Sequence, residues 1–285
     1  MTSQPQPPPP ANVGYFLAEV APSLHALLER LAGLRTVFFA GLPATGKSLL
    51  VHQLAHLAVG RGRTVHLLQW DVARPVFERS PAGQHYRTQN GQANPATRPI
   101  VGAWARAEIA RWHQRFPGAE HLLVVEPPLI GRRLIELTAP ADDATEPLLV
   151  SAESQWVLPV PTNDVRRHIE GERERRSANP LHQQERQDAS PNVLRAVWPE
   201  ILDAATAAGL SADPNAGTGT YDSAIYEAVY RRWLAHRPLH VEAIDRVLPT
   251  AEMSVYEYGV AYQPLVPDRD EADAFIRAWE AAHPA

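Results

Sequence analysis

The chain has 285 residues and 31.5 kDa, of which 45% are apolar and 21% charged, enough for a full core in one α/β domain or two small ones. Its net charge of −5 and pI near 6.2 give no overall pull toward nucleic acid or an anionic bilayer, and no apolar run reaches the ~18 residues of a membrane span. The absence of cysteine excludes disulfides, thiolate metal sites and thiol nucleophiles.

Proline is the compositional outlier, with 27 residues, five of them among the first ten. Residues 1–11 read as a disordered, polyproline-leaning leader that lacks the basic and apolar regions of a secretory signal. The expectation is a cytoplasmic protein whose residues 12–285 form a single domain. In residues 12–34, Phe16, Leu17, Val20, Leu24, Leu27, Leu28 and Leu31 recur at helical spacing. Pro22 interrupts that pattern and predicts two helices or a kink. Residues 36–40 (TVFFA) are uninterruptedly apolar, as in a strand buried on both faces of a parallel sheet. A helix from 47 to about 59 follows, ended by Gly60 and Gly62, and residues 64–69 supply a second strand. The polar stretch 80–97 exceeds a simple connection. Residues 99–116 read as a helix and 121–126 as a third buried strand. Residues 155–160 suggest a fourth strand, with Pro159 expected at its end or at an edge. Helices are expected over 164–176, 192–208, 221–236 and 268–282, and a fifth strand over 239–248. Such alternation indicates a parallel sheet covered on both faces.

One motif carries specific chemistry. Directly after the first strand comes Gly41-Leu42-Pro43-Ala44-Thr45-Gly46-Lys47-Ser48, followed by Leu49 and an amphipathic helix. This satisfies G-x-x-x-x-G-K-[ST] in its required strand–helix context. The glycines let backbone N–H groups wrap a phosphate, and the helix N-terminus adds its positive end. Lys47 is placed to reach the β- and γ-phosphates and Ser48 to offer its hydroxyl to Mg²⁺. The expected ligands are therefore ATP or GTP, with Mg²⁺.

No guanine-reading N-K-x-D is present, and the third strand ends Val124-Val125-Glu126-Pro127-Pro128 rather than in the Asp-Glu of many ATPases. The chain resembles the small-molecule kinase group of P-loop proteins, which includes nucleoside, nucleotide, shikimate and gluconate kinases. The resemblance covers about residues 36–176 and implies a three-layer α/β/α fold with a five-stranded, mostly parallel sheet. Core, lid and closing helix would span residues 36–250, about 163–190 and 268–282. Three stations carry it. Asp71, with Arg74 three residues on, would face the acceptor hydroxyl, although Asp is also a preferred N-cap. Glu126 would end the strand beside the first and hold Mg²⁺ through water or contact the acceptor. Arg173 and Arg176, on one helical face with Arg166, would be the lid arginines that spread the charge of the transferring phosphoryl.

Arg98 and the pair Arg132-Arg133 are further candidates for gripping an anionic acceptor. Trp70, Tyr86, Trp104 and Trp112 are candidates for a base-stacking pocket. The implied activity is transfer of a γ-phosphoryl group to a small-molecule hydroxyl or phosphate. The alternative is an NTP hydrolase or nucleotide-dependent switch that regulates a partner. No nucleic acid or membrane partner is indicated.

Overall fold

The structure is a computed structural model that describes residues 15–88, 93–183, 185, 197–210, 220–250 and 253–284. The Pro-rich leader, residues 184 and 186–190 of the expected lid, and the expected helical start at 192 lie outside the described residues.

Six strands form one open, all-parallel sheet: β1 (Thr36–Phe39), β2 (Thr64–Gln69), β3 (His121–Glu126), β4 (Ser154–Pro161), β5 (Leu239–Ile244) and β6 (Tyr262–Pro264), in the order β5-β4-β1-β3-β2-β6. The third strand therefore lies beside the first, in register Thr36↔Leu123 to Phe38↔Val125. A five-stranded sheet was expected; the sixth strand is three residues long, contains Pro264 and is exposed throughout, so it carries no apolar pattern to read.

Ten α-helices are found among the described residues. Pro22 does divide the first helical pattern, into α1 (Leu17–Val20) and α2 (Pro22–Leu31), with the proline at the start of the second. The others are α3 (Lys47–Gly60), α4 (Trp70–Arg79), α5 (Thr97–Arg115), α6 (Glu146–Leu149), α7 (Asn163–Ala178), α8 (Trp198–Ala207), α9 (Ser223–Trp233) and α10 (Arg269–Ala282). None of the described helices is long and apolar enough to cross a membrane.

Alternating strand residues build two cores. Phe38, Leu68, Leu123, Val125, Trp156 and Leu158 face α4, α5, α8, α9 and α10. Val37, Phe39, Val65, Leu67, Val124 and Val157 face α1, α2 and α3. Covering both faces removes water from most side chains of β1 to β4, which is why β1 to β3 read as nearly continuous apolar runs, with His66 the polar exception inside β2.

Pro159 corrects the sequence expectation: it lies within β4, between β1 and β5. The ladder explains how. The Ala40 N–H donates to the Val157 carbonyl and the Trp156 N–H to the Pro238 carbonyl. Odd-numbered residues of β4 thus face β1, and by Pro159 that strand has already ended. The amide hydrogen proline lacks would have had no strand partner.

Beneath the sheet, His66, fully buried, hydrogen-bonds His121 at 3.2 Å, and His113 bonds the Thr36 hydroxyl at 2.9 Å. Burial pushes the imidazoles of His52, His66 and His113 down to about 4. Between pH 6.5 and 4 the unfolded chain takes up protons that the folded chain refuses, so stability falls as the pH falls through that window. The melting temperature is expected to drop between pH 7 and 4, and His66→Gln to flatten the slope; equal slopes would show that His66 stays out of the titration.

Candidate functional site

β1 gives way at Ala40 to the turn of residues 41–46, which leads into α3. Gly41, Ala44 and Gly46 have φ of 145°, 62° and 89°, a half of backbone space that L side chains avoid. At Gly41 a Cβ would collide with the Tyr226 hydroxyl on α9, so only glycine fits. The Thr45 hydroxyl and Lys47 Nζ both donate to the Leu42 carbonyl at 2.8 Å, drawing the loop into a ring. Gly46 is the N-cap of α3 and supplies no side-chain acceptor, so the first-turn N–H groups have no intrahelical partner and no side-chain cap.

Lys47 is 6% exposed. Burial pushes its ammonium down to about 8; Glu126 and Asp71 oppose that shift, and Arg173 and Arg166 add to it. The Lys47–Glu126 distance is 3.9 Å. Glu126 also receives the Ser48 hydroxyl at 3.2 Å and the Gln69 amide at 2.8 Å. Ser48 and Glu126 thus place two hard oxygen donors together, a set suited to Mg²⁺ completed by water and phosphate oxygens. Among the described residues no group of three His, Asp or Glu side chains is gathered for a metal.

The carboxyl ends of β1, β2 and β3 open on one cavity of about 520 Å³, which the 43–50 loop and helix turn, Asp71, Glu126 and Arg173 all line. Asp71 is not an N-cap, because α4 starts at Trp70 and Gln69 holds the cap position without a side-chain bond. The carboxylate sits instead in the first turn, exposed, on the cavity wall. Arg74 lines the same wall, with its charge taken by Glu78 at 2.8 Å. Arg98 stands behind it, 3.5 Å from the carbonyl of Ala93, which does line the cavity.

Arg166, Arg173 and Arg176, three of the five arginines of α7, share its inner face, and they differ in what holds them. Arg166 pairs with Glu170 at 2.8 Å and lies 4.5 Å over the Tyr221 ring. Arg176 is fastened to the chain following β5: it donates to the carbonyls of Thr250 and of Met253 (2.7 Å) and meets the buried Glu185 at 3.3 Å. Arg176 is thereby tied to the chain after β5, although its residue lines the cavity as Arg173 does.

The expected aromatic pocket does not form. Trp104 and Trp112 are core residues, Tyr86 hydrogen-bonds Glu280, and only Trp70 reaches the cavity. The apolar wall comes from the segment joining β5 to β6, through Ile244, Leu248, Tyr256, Tyr258 and Tyr262. Because β5 and β6 are opposite edges of the sheet, this segment crosses the whole carboxyl end. Nothing in its sequence has a motif's spacing; the only signal was three tyrosines within seven residues.

No protein-family model matches the chain, and neither a curated protein nor a solved structure matches it.

Arg176→Ala would leave Glu185 buried without its cation. A loss of about 3–5 kcal/mol is expected, read as a lower denaturant midpoint. An unchanged midpoint would mean that the helix does not depend on this fastening.

Proposed function

We propose that the chain is a phosphotransferase that moves the γ-phosphoryl of a nucleoside triphosphate to a small-molecule acceptor. The observation that carries this reading is the Gly41–Ser48 loop: a turn with positive φ at Gly41, Ala44 and Gly46, closed on a buried lysine, opening onto one cavity with Asp71, Glu126 and Arg173. That arrangement supports reading the loop as a P-loop. Its N–H groups suit phosphate oxygens, and the Lys47 ammonium gains an anionic partner that burial otherwise denies it.

Mg²⁺, when bound, neutralises phosphate charge, and Ser48 and Glu126 are the side chains that would hold it. Asp71 orients the acceptor hydroxyl and takes its proton. The acceptor oxygen bonds to the γ-phosphorus as the bond to the β–γ bridging oxygen breaks, and the electron pair leaves with the nucleoside diphosphate. Arg173 faces the transferring group from α7 and offsets charge that grows in the transition state.

Nucleotide binding should restore the charge on Lys47, so above pH 8 it must take up a proton. Affinity for ATP is expected to fall about tenfold per pH unit above 8, and Lys47→Ala to bind weakly with a flat profile. Calorimetric titration across pH 7–9.5 reads both. Wild-type affinity in the Lys47→Ala protein would overturn the assignment.

For Asp71→Asn, turnover with an accepted substrate is expected to fall roughly 10²–10⁴-fold without loss of melting temperature, since the residue caps nothing. ADP release over a panel of alcohols, sugars and their phosphates, scored above the no-acceptor background, tests the activity. Release that no acceptor raises would point to hydrolysis instead.

A further inference from the structure

The cavity wall near Asp71 carries a cation that no neighbouring carboxylate meets. After β3 the chain makes a tight turn in which Leu129, Gly131, Arg132 and Leu134 have φ of 62°, 63°, 58° and 58°. Three of these four are not glycine, and each such residue costs on the order of 1 kcal/mol or more. The turn persists because Leu129, Ile130 and Leu134 are buried and the Leu129 N–H donates to the Arg133 carbonyl at 3.0 Å. It sets Arg133 into the cavity wall and leaves Arg132 exposed, off the cavity.

Arg133 has a buried Nε with no hydrogen-bond partner, and among the described residues its guanidinium forms no ion pair. Burial pushes it down; Asp71 and Glu200 oppose this from a distance, and Arg98 and Arg74 add to it. Arg74 on the same wall is neutralised by Glu78 at 2.8 Å, and Arg98, which likewise forms no ion pair among the described residues, does not line the cavity, so Arg133 is the unmet charge on this part of the wall. A desolvated cation without a partner is costly unless a ligand supplies one. A neutral sugar or nucleoside would leave it unmet. A planar guanidinium fork matches the two oxygens of a phosphate or carboxylate.

We propose that Arg133 anchors an oxyanion on the acceptor, so that the substrate is a small molecule bearing a phosphate monoester or carboxylate besides the hydroxyl offered to Asp71. The word acceptor rests on the phosphotransferase reading; the anion site rests on the cavity alone.

The test titrates orthophosphate, and in a separate arm malonate, into the full chain presaturated with the analogue AMP-PNP and Mg²⁺. Wild type and Arg132→Gln are expected to bind one equivalent, and Arg133→Gln to bind at least tenfold more weakly. The melting temperature of Arg133→Gln should equal or exceed that of wild type, because an unpaired charge is gone. Preference for orthophosphate assigns a phosphate ester, and preference for malonate a carboxylate. No anion binding by wild type, equal binding by Arg133→Gln, or a melting temperature several degrees lower in that variant would overturn the proposal. If AMP-PNP itself fails to bind, the phosphotransferase reading fails. The same titrations on Lys47→Ala, where the loop no longer competes for phosphate, then decide the Arg133 site separately.

Discussion

A single ammonium group buried at the carboxyl ends of β1 and β3 sets the terms for the site around it. Lys47 is drawn to the Leu42 carbonyl at one side and toward Glu126 at the other, and water reaches neither contact freely. Such a charge is tolerable only where backbone oxygens and a carboxylate converge. Their convergence requires β1 and β3 to be adjacent and parallel, so that both chains leave the sheet at the same end. It also requires a loop with no side chain at Gly41, where α9 presses its Tyr226 hydroxyl against the backbone. The order of the strands, the glycine and the packing of a helix from late in the chain thus answer to one buried proton carrier.

Around that centre the charges are unevenly compensated. Glu126 is shared among Ser48, Gln69 and Lys47, whereas Arg166 and Arg173 raise the positive potential on Lys47 from the side of α7. Arg133 adds a further cation from beyond β3. The crevice is consequently more positive than a chain of net charge −5 would suggest. Low-dielectric walls preserve such local potentials, which solvent screens elsewhere, so the field at the crevice is set by these groups more than by the overall charge.

How much of this was legible follows from what each signal depends on. The strands from Thr36, Thr64 and His121 were readable because burial on two faces keeps their interiors apolar, apart from the buried His66. The 41–48 loop was readable because its glycines are demanded by backbone geometry. Pro159 misled, since the rule against proline inside a sheet concerns hydrogen-bond partners, and those depend on where the neighbouring strand ends. Asp71 looked like a cap because composition cannot tell whether a helix starts one residue earlier. Arg176 looks in sequence like any other arginine of its helix, yet it donates to the distant carbonyls of Thr250 and Met253. The tyrosine wall and Arg133's isolation were invisible, because both depend on contacts between segments far apart in the chain.

The connection from β5 to β6 has a consequence in time as well as in space. β6 pairs with β2 in the register Val65↔Tyr262 to Leu67↔Pro264, joining residues nearly two hundred positions apart. Closing so long a loop is slow compared with forming the local helix–strand units. On the ribosome, the glycine loop and its neighbouring strands emerge first, while the wall that covers them is still to be made. The chain therefore passes through a stage in which the glycine loop exists but its roof does not, and assembly of the cavity waits on the segment between β5 and β6.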